Sequence, residues 1–234
     1  MNIILLGPAG SGKSTIAESF SKYLEDEGYS AGVVNLDSAS PPRYSPISDV
    51  REFVRAEEVM EKEGLGINGA LLRSMELAAE HLDDLIPKDG WDFVIYDTPG
   101  QLELFMYTSF GRELVSRLES FTVGVFLADS TRVTSPSTYS AMIAQSAIVT
   151  LMLEIPSITA FNKSDRARVK EFEHYARELE GEGVLGEFFE KLLKFVEATS
   201  VIYRPVLVSA KTGEGFDELF SAVNEVFCAC GDLS

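Results

Sequence analysis

The sequence is short of cysteine, of basic residues and of long apolar runs, and each shortage excludes something. Only Cys228 and Cys230 occur among 234 residues. A Cys-x-Cys pair is too close for an ordinary disulfide framework, and no further Cys or nearby His completes a zinc set. Both read as structural or incidental. Lys and Arg number 20 against 37 Asp and Glu, a formal net charge of −17. Direct nucleic-acid binding relies on cationic side chains that displace phosphate counterions, so it is not expected. Electrostatic docking on an anionic membrane is disfavoured for the same reason. No apolar run approaches the roughly 20 residues that span a bilayer; the nearest, Ala141 to Leu153, holds Gln145, Ser146 and Thr150. The first residues, Met1 to Gly7, show neither a basic segment nor a long apolar one, so no secretory signal and a cytoplasmic location are expected. Internal repeats, low-complexity tracts and Gly/Ser linkers are missing too.

What is present suits one large α/β domain over residues 1–234. Apolar residues make up 45% of the chain, and a chain this long buries about 70% of its extended surface without help from disulfides or metal. Six β-branched or aromatic runs recur: Asn2–Leu6, Ala31–Leu36, Phe93–Tyr96, Thr122–Ala128, Ser157–Phe161 and Pro205–Val208. Most are continuously apolar, as parallel strands covered on both faces require. Helical patterns lie between them, at Ser14–Leu24, Gly69–Ile86, Arg166–Leu179, Phe188–Val196 and Phe216–Phe227. The alternation predicts a three-layer α/β fold with a mostly parallel sheet of about six strands and helices on both faces. Two long connections, about 38–91 and 166–204, are insertions on that domain. Residues 171–197 hold eight Glu against three basic residues; they form a solvated acidic face or a docking surface for a basic protein partner.

Gly7-Pro8-Ala9-Gly10-Ser11-Gly12-Lys13-Ser14 fits G-x-x-x-x-G-K-[ST] between a strand and a helix. The glycines let backbone N–H groups turn inward around an anion, and the helix N-terminus adds its dipole. Gly10, Ser11, Gly12, Lys13, Ser14 and Thr15 are therefore expected to bind the phosphates of a nucleoside triphosphate. Lys13 would reach the β- and γ-phosphates and the Ser14 hydroxyl would ligate Mg²⁺. Asp97 closes the third run in Asp97-Thr98-Pro99-Gly100-Gln101, which suits a metal-shell carboxylate, and Gly100 can offer its N–H to a γ-phosphate. Asp37, after the second run, is a candidate for the Mg²⁺ shell, for polarising the attacking water, or for capping the next turn.

Asn162-Lys163-Ser164-Asp165 follows the fifth run, and Ser209-Ala210-Lys211 follows the sixth. A carboxylate in N-K-x-D accepts from guanine N1–H and N2–H₂. Adenine has no N1 proton and would leave it unpaired, and such sites discriminate by about 10⁴ or more. Lys163 can lay its stem on the base plane, and the Ala210 N–H can donate to guanine O6. GTP or GDP with Mg²⁺ is the expected cofactor set.

In that order these elements resemble a phosphate-loop GTPase. The long insert together with Asp97-Thr98-Pro99-Gly100-Gln101-Leu102-Glu103 resembles the GPN-loop GTPase family over essentially the whole chain. Gly66-Ile67-Asn68 stands where that family has Gly-Pro-Asn, and Ser38 replaces the Pro that usually follows its second-strand Asp. Losing the loop proline removes its fixed φ. The resemblance implies a homodimer whose loops reach the partner's nucleotide. Asn68 would then contact phosphate or water in trans, with Asp37, Gln101 and Glu103 around that water. From the residues alone, Asn68 before Gly69 reads as a helix N-cap.

A related dimeric class of ATPases has an extra lysine early in the loop, where this chain has Pro8. Arg51, Arg55 and Arg132 are candidates to supply the missing charge, or else surface ion-pair residues. The reading is a Mg²⁺-dependent GTP hydrolase acting as a nucleotide-switched homodimer, an assembly or chaperone-like factor with an unidentified protein partner. Family members are associated with the assembly of large complexes such as RNA polymerase. A phosphotransferase and a nucleotide-gated scaffold with negligible turnover are the alternatives.

Overall fold

The computed structural model describes residues 1–88, 90–170, 174–175, 178, 183–199 and 204–231. They fall into two compact units, Met1–Thr122 and Val123–Ser234.

The first unit opens with β1 (Asn2–Leu6), α1 (Lys13–Asp26) and β2 (Ala31–Asn35), and continues through β3 (Ser48–Asp49), α2 (Ala56–Glu63), α3 (Ile67–Ala79) and α4 (Leu82–Leu85). It closes with β4 (Phe93–Asp97), α5 (Leu102–Tyr107) and α6 (Ser109–Arg117). Its strands run β3-β2-β4-β1, all parallel. Every residue of β1, β2 and β4 is buried, which is why these runs are apolar without alternation. The α1 helix lays Ile16, Ala17, Phe20 and Leu24 into the core. The registers Leu5↔Asp97 and Asn35↔Asp97 bring the C-terminal ends of three strands to one edge, where the loops leave.

The second unit carries β5 (Thr122–Asp129, its first residue in the preceding unit), α7 (Pro136–Leu153), β6 (Ser157–Asn162), α8 (Gly183–Thr199), β7 (Val206–Leu207) and α9 (Phe216–Gly231). Its strands run β5-β6-β7 in parallel. A capping box of Ser135 and Thr138, with Pro136 at the first turn, starts α7. The near-membrane run Ala141–Leu153 lies inside α7, where Ile143, Ala147, Val149 and Leu153 are buried. Among the described residues no helix is long and apolar enough to cross a membrane.

The fold class is the expected parallel α/β arrangement, but the sheet has seven strands rather than six. The extra strand, β3, is the polar pair Ser48-Asp49 on the edge of β2. Two residues without an apolar run carry no signal of a strand. The helix expected over Gly69–Ile86 begins earlier, at Ile67, and is broken at Glu80-His81, so α3 and α4 are separate. Of the helix expected over Arg166–Leu179, 166–170 are turn and irregular backbone, 174, 175 and 178 are helical, and the remaining positions lie outside the described residues.

Candidate functional site

In the first unit, Gly7 to Ser14 form the turn from β1 into α1. Gly7, Gly10 and Gly12 have φ of 139°, 80° and 98°, a region favouring residues without Cβ. A Cβ on Gly10 or Gly100 would meet no atom within 4 Å, so the space beside both is open. Gly12 is the N-cap of α1 and offers no side-chain cap, which leaves the first-turn N–H groups for an anion. Lys13 is 5% exposed. Its Nζ donates to the carbonyl oxygens of Gly7 at 2.7 Å and Pro8 at 3.4 Å. Burial pushes the Lys13 ammonium down from its ordinary pKa, and the charges of Asp97, Asp37 and Glu103 oppose this. Ser14 and Thr15 are exposed at the start of α1.

Asp97 ends β4 and is 2% exposed. Burial raises its pKa; hydrogen bonds from Tyr44 and Ser14 and the Lys13 charge work in the other direction. The Tyr44 hydroxyl donates to Asp97 Oδ2 at 2.8 Å, whereas Oδ1 is buried without a hydrogen bond of ordinary geometry. An unpaired buried carboxylate oxygen near a serine hydroxyl fits a hard divalent cation. Among the described residues no cluster of three His, Cys, Asp or Glu is preassembled for a metal. Next to Asp97, Thr98 Oγ1 donates to Leu5 O at 2.6 Å and ties β4's end to β1.

Asp37 lies two residues beyond β2. Its N–H donates to Asn35 Oδ1 at 3.1 Å and its Oδ1 accepts from Ala39 N at 2.9 Å, so the turn-capping reading is realised in this geometry. Gln101 and Glu103 are exposed at the start of α5. Asn68 is exposed too, but it is not the helix N-cap: that residue is Gly66, and Ile67 and Asn68 form the first turn of α3. Ile67 thus occupies the first helical position, where proline's fixed φ is matched by the helix itself. All three candidate arginines are already engaged: Arg51 with Glu57, Arg55 with Glu58, Arg132 with Asp129.

In the second unit, Asn162 is buried at the end of β6. Its Oδ1 accepts from Lys163 N at 2.8 Å and from Ala210 N at 3.0 Å, so one side chain joins both base-reading loops. The Ala210 N–H, expected to meet guanine O6, is donated to Asn162 in this structure. Ser209 is fully buried, and its Oγ donates to Asp165 Oδ1 at 2.8 Å; Asp165 is otherwise exposed. Lys211 is exposed. Lys163 adopts φ 68°, unusual for a residue with Cβ, and its Nζ pairs with Asp129 Oδ2 at 2.6 Å.

Asp129 and Tyr44 are the residues that sequence reasoning missed. Asp129 ends β5 as Asp97 ends β4, a strand-terminal position that was a usable signal. Burial alone would raise the Asp129 pKa, but hydrogen bonds from Lys163 and Thr131 hold it below the usual carboxylate range. Tyr44 carries no such signal.

A glycine-bounded turn running from a parallel strand into a buried lysine, with an Asn-Lys-x-Asp loop clasped to a Ser-Ala-Lys loop, defines the class: a phosphate-loop protein of the GTPase type. A family model described as "Conserved hypothetical ATP binding protein" matches residues 5–229. "GPN-loop GTPase PAB0955" of Pyrococcus abyssi is 34% identical with both chains covered in full. Its crystal structure, described as a GTPase in apo form, superposes with a TM-score of 0.87 at 31% identity, covering 98% of each chain. "GPN-loop GTPase 1" of Saccharomyces cerevisiae is 30% identical over 95% of this chain. This chain spans 65% of that relative's length, and 60% of the "GPN-loop GTPase 1" of Dictyostelium discoideum. The chain belongs to the GPN-loop GTPase family.

Proposed function

We propose that the protein binds GTP with Mg²⁺ and hydrolyses it to GDP and phosphate as a nucleotide-switched homodimer. The observation that carries the guanine reading is the Ser209–Asp165 hydrogen bond, which presents a carboxylate beside the Asn162 clasp. The matching family description speaks of ATP, but adenine has no N1 proton for Asp165 to accept. Asp165→Asn should lose GTP and gain xanthosine triphosphate. Unchanged GTP affinity, measured by equilibrium titration, would refute the assignment.

Lys13 exchanges its loop carbonyls for the β- and γ-phosphates and stabilises the charge that develops on them. The α1 N–H groups and the Gly100 N–H add donors at the same oxygens. Ser14 and Asp97, with Asp37 nearby, would hold Mg²⁺, which neutralises phosphate charge when bound. Asp37, Gln101 and Glu103 orient the attacking water. Asn68 serves the partner subunit's site, a reading supported by its exposure between Ile67 and the helix face bearing Leu72, which are 57% and 47% exposed. Phosphate release from GTP alone is the test of hydrolysis. Release only in the presence of an acceptor would instead make the protein a phosphotransferase. Gln101→Ala and Asn68→Ala should lower turnover by about 10²-fold, as for other transition-state donors, while sparing GTP affinity. An assembly role, with the insert helices presented to a protein partner in one nucleotide state, extends this reading.

A further inference from the structure

The insert between β2 and β3 does more than lead to the helices. Residues 38–49 leave β2 and return to its edge, and both ends of the excursion are pinned. At the start, Ser38 O accepts from Arg51 Nη1 at 2.7 Å and from Ala56 N at 3.1 Å. At the end, Asp49 Oδ1 accepts from Asn35 Nδ2 at 2.7 Å and from Arg51 N at 2.9 Å. Ile47 N donates to Val33 O at 2.8 Å, and the Ile47 side chain fills the space over Gly32, where a Cβ would lie 2.5 Å from it. A loop held this way sets Tyr44 at its middle, where its hydroxyl donates to Asp97 Oδ2 at 2.8 Å. The two carboxylate oxygens thus differ: Oδ2 accepts from Tyr44, whereas Oδ1 has no hydrogen bond of ordinary geometry.

We propose that Tyr44 is the positioning residue for Asp97: by occupying Oδ2 it fixes the carboxylate's rotation and reserves Oδ1 for the metal side. This rests on the Mg²⁺ reading above. Without the hydroxyl, the buried carboxylate loses the hydrogen bond on Oδ2 and its rotation is no longer set from that side.

The experiment measures release of a fluorescent GDP analogue over a Mg²⁺ titration in the wild type, Tyr44→Phe, Asp97→Asn and the double variant. Tyr44→Phe keeps the ring, and a thermal melt of each variant confirms folding. The Mg²⁺ concentration giving half of the effect should rise about tenfold in Tyr44→Phe, the value of a hydrogen bond to a charged group. In the Asp97→Asn background the same substitution should add nothing, because the partner is gone. An unchanged midpoint overturns the proposal. So does a lowered one, which would make Tyr44 a competitor of the cation, and so does an additive effect in the double variant. A wild type whose GDP release ignores Mg²⁺ sinks the metal reading itself, an outcome distinct from a Mg²⁺-dependent wild type that Tyr44→Phe matches.

Discussion

Asp129 shows how a buried carboxylate acquires a role from its neighbours. It accepts from Thr131 N at 3.0 Å and Thr131 Oγ1 at 2.7 Å on one oxygen and pairs with Lys163 on the other. The lysine expected to cover the base is therefore held by a residue 34 positions away. Because the folded pKa lies below the ordinary 3.8, the stability this carboxylate contributes is complete above about pH 3.8 and is lost as pH falls through the folded value. Asp129→Asn should lower the melting temperature at pH 7, and the gap to wild type should close on acidification below pH 4. A gap that stays constant from pH 7 to pH 3 contradicts the assignment. The placement of Lys13 and Ser14 at the start of α1 and of Asp165 in the loop after β6 was legible in the sequence, because each sits in a short contiguous motif. Tyr44 was not, since its partner lies 53 residues on.

At the scale of elements, the departure of Ile67 from the family pattern has a local explanation. Ile67 replaces proline at the first position of α3, where the helix holds φ without a ring. Ile67→Pro should accordingly be accepted, changing stability by no more than about 1 kcal/mol in either direction, by thermal or urea unfolding. The turn from β7 into α9 has no such tolerance. Gly215 has φ +78°, and a Cβ there would lie 1.9 Å from Leu207 O. Gly215→Ala should cost about 1–3 kcal/mol or more. It should also weaken GTP and GDP binding together, because the Ser209 N–H to Glu214 O bond of 2.9 Å closes the same turn. The strand runs and α1 were readable from apolar continuity and the 3.6-residue period. β3 was not, as two polar residues become a strand only by meeting the β2 edge. The break between α3 and α4 was likewise hidden: His81 leaves the helix with φ −111° and ψ 13° and stacks on Phe53 at 4.7 Å, a contact between residues distant in sequence.

For the whole molecule, the charge of −17 and the binding of a polyphosphate are compatible because the anion site is made of backbone N–H groups and one buried lysine rather than a basic surface. If the homodimer forms as proposed, the GTP-analogue-bound protein should sediment as a dimer at micromolar concentration; a monomer there would contradict it. The sequence by itself determined the ligand class. A phosphate loop and a base-reading loop are short contiguous segments whose N–H groups and side chains act at their own positions, so their chemistry survives without knowledge of packing. The tertiary structure decided which atoms of those segments remain available. It engaged Ala210 N–H with Asn162, committed Lys163 to Asp129, and set the Tyr44 hydroxyl on one of the two oxygens of Asp97. Hydrogen-bond partners of this kind are chosen by proximity in the folded chain, and sequence spacing carries no record of it.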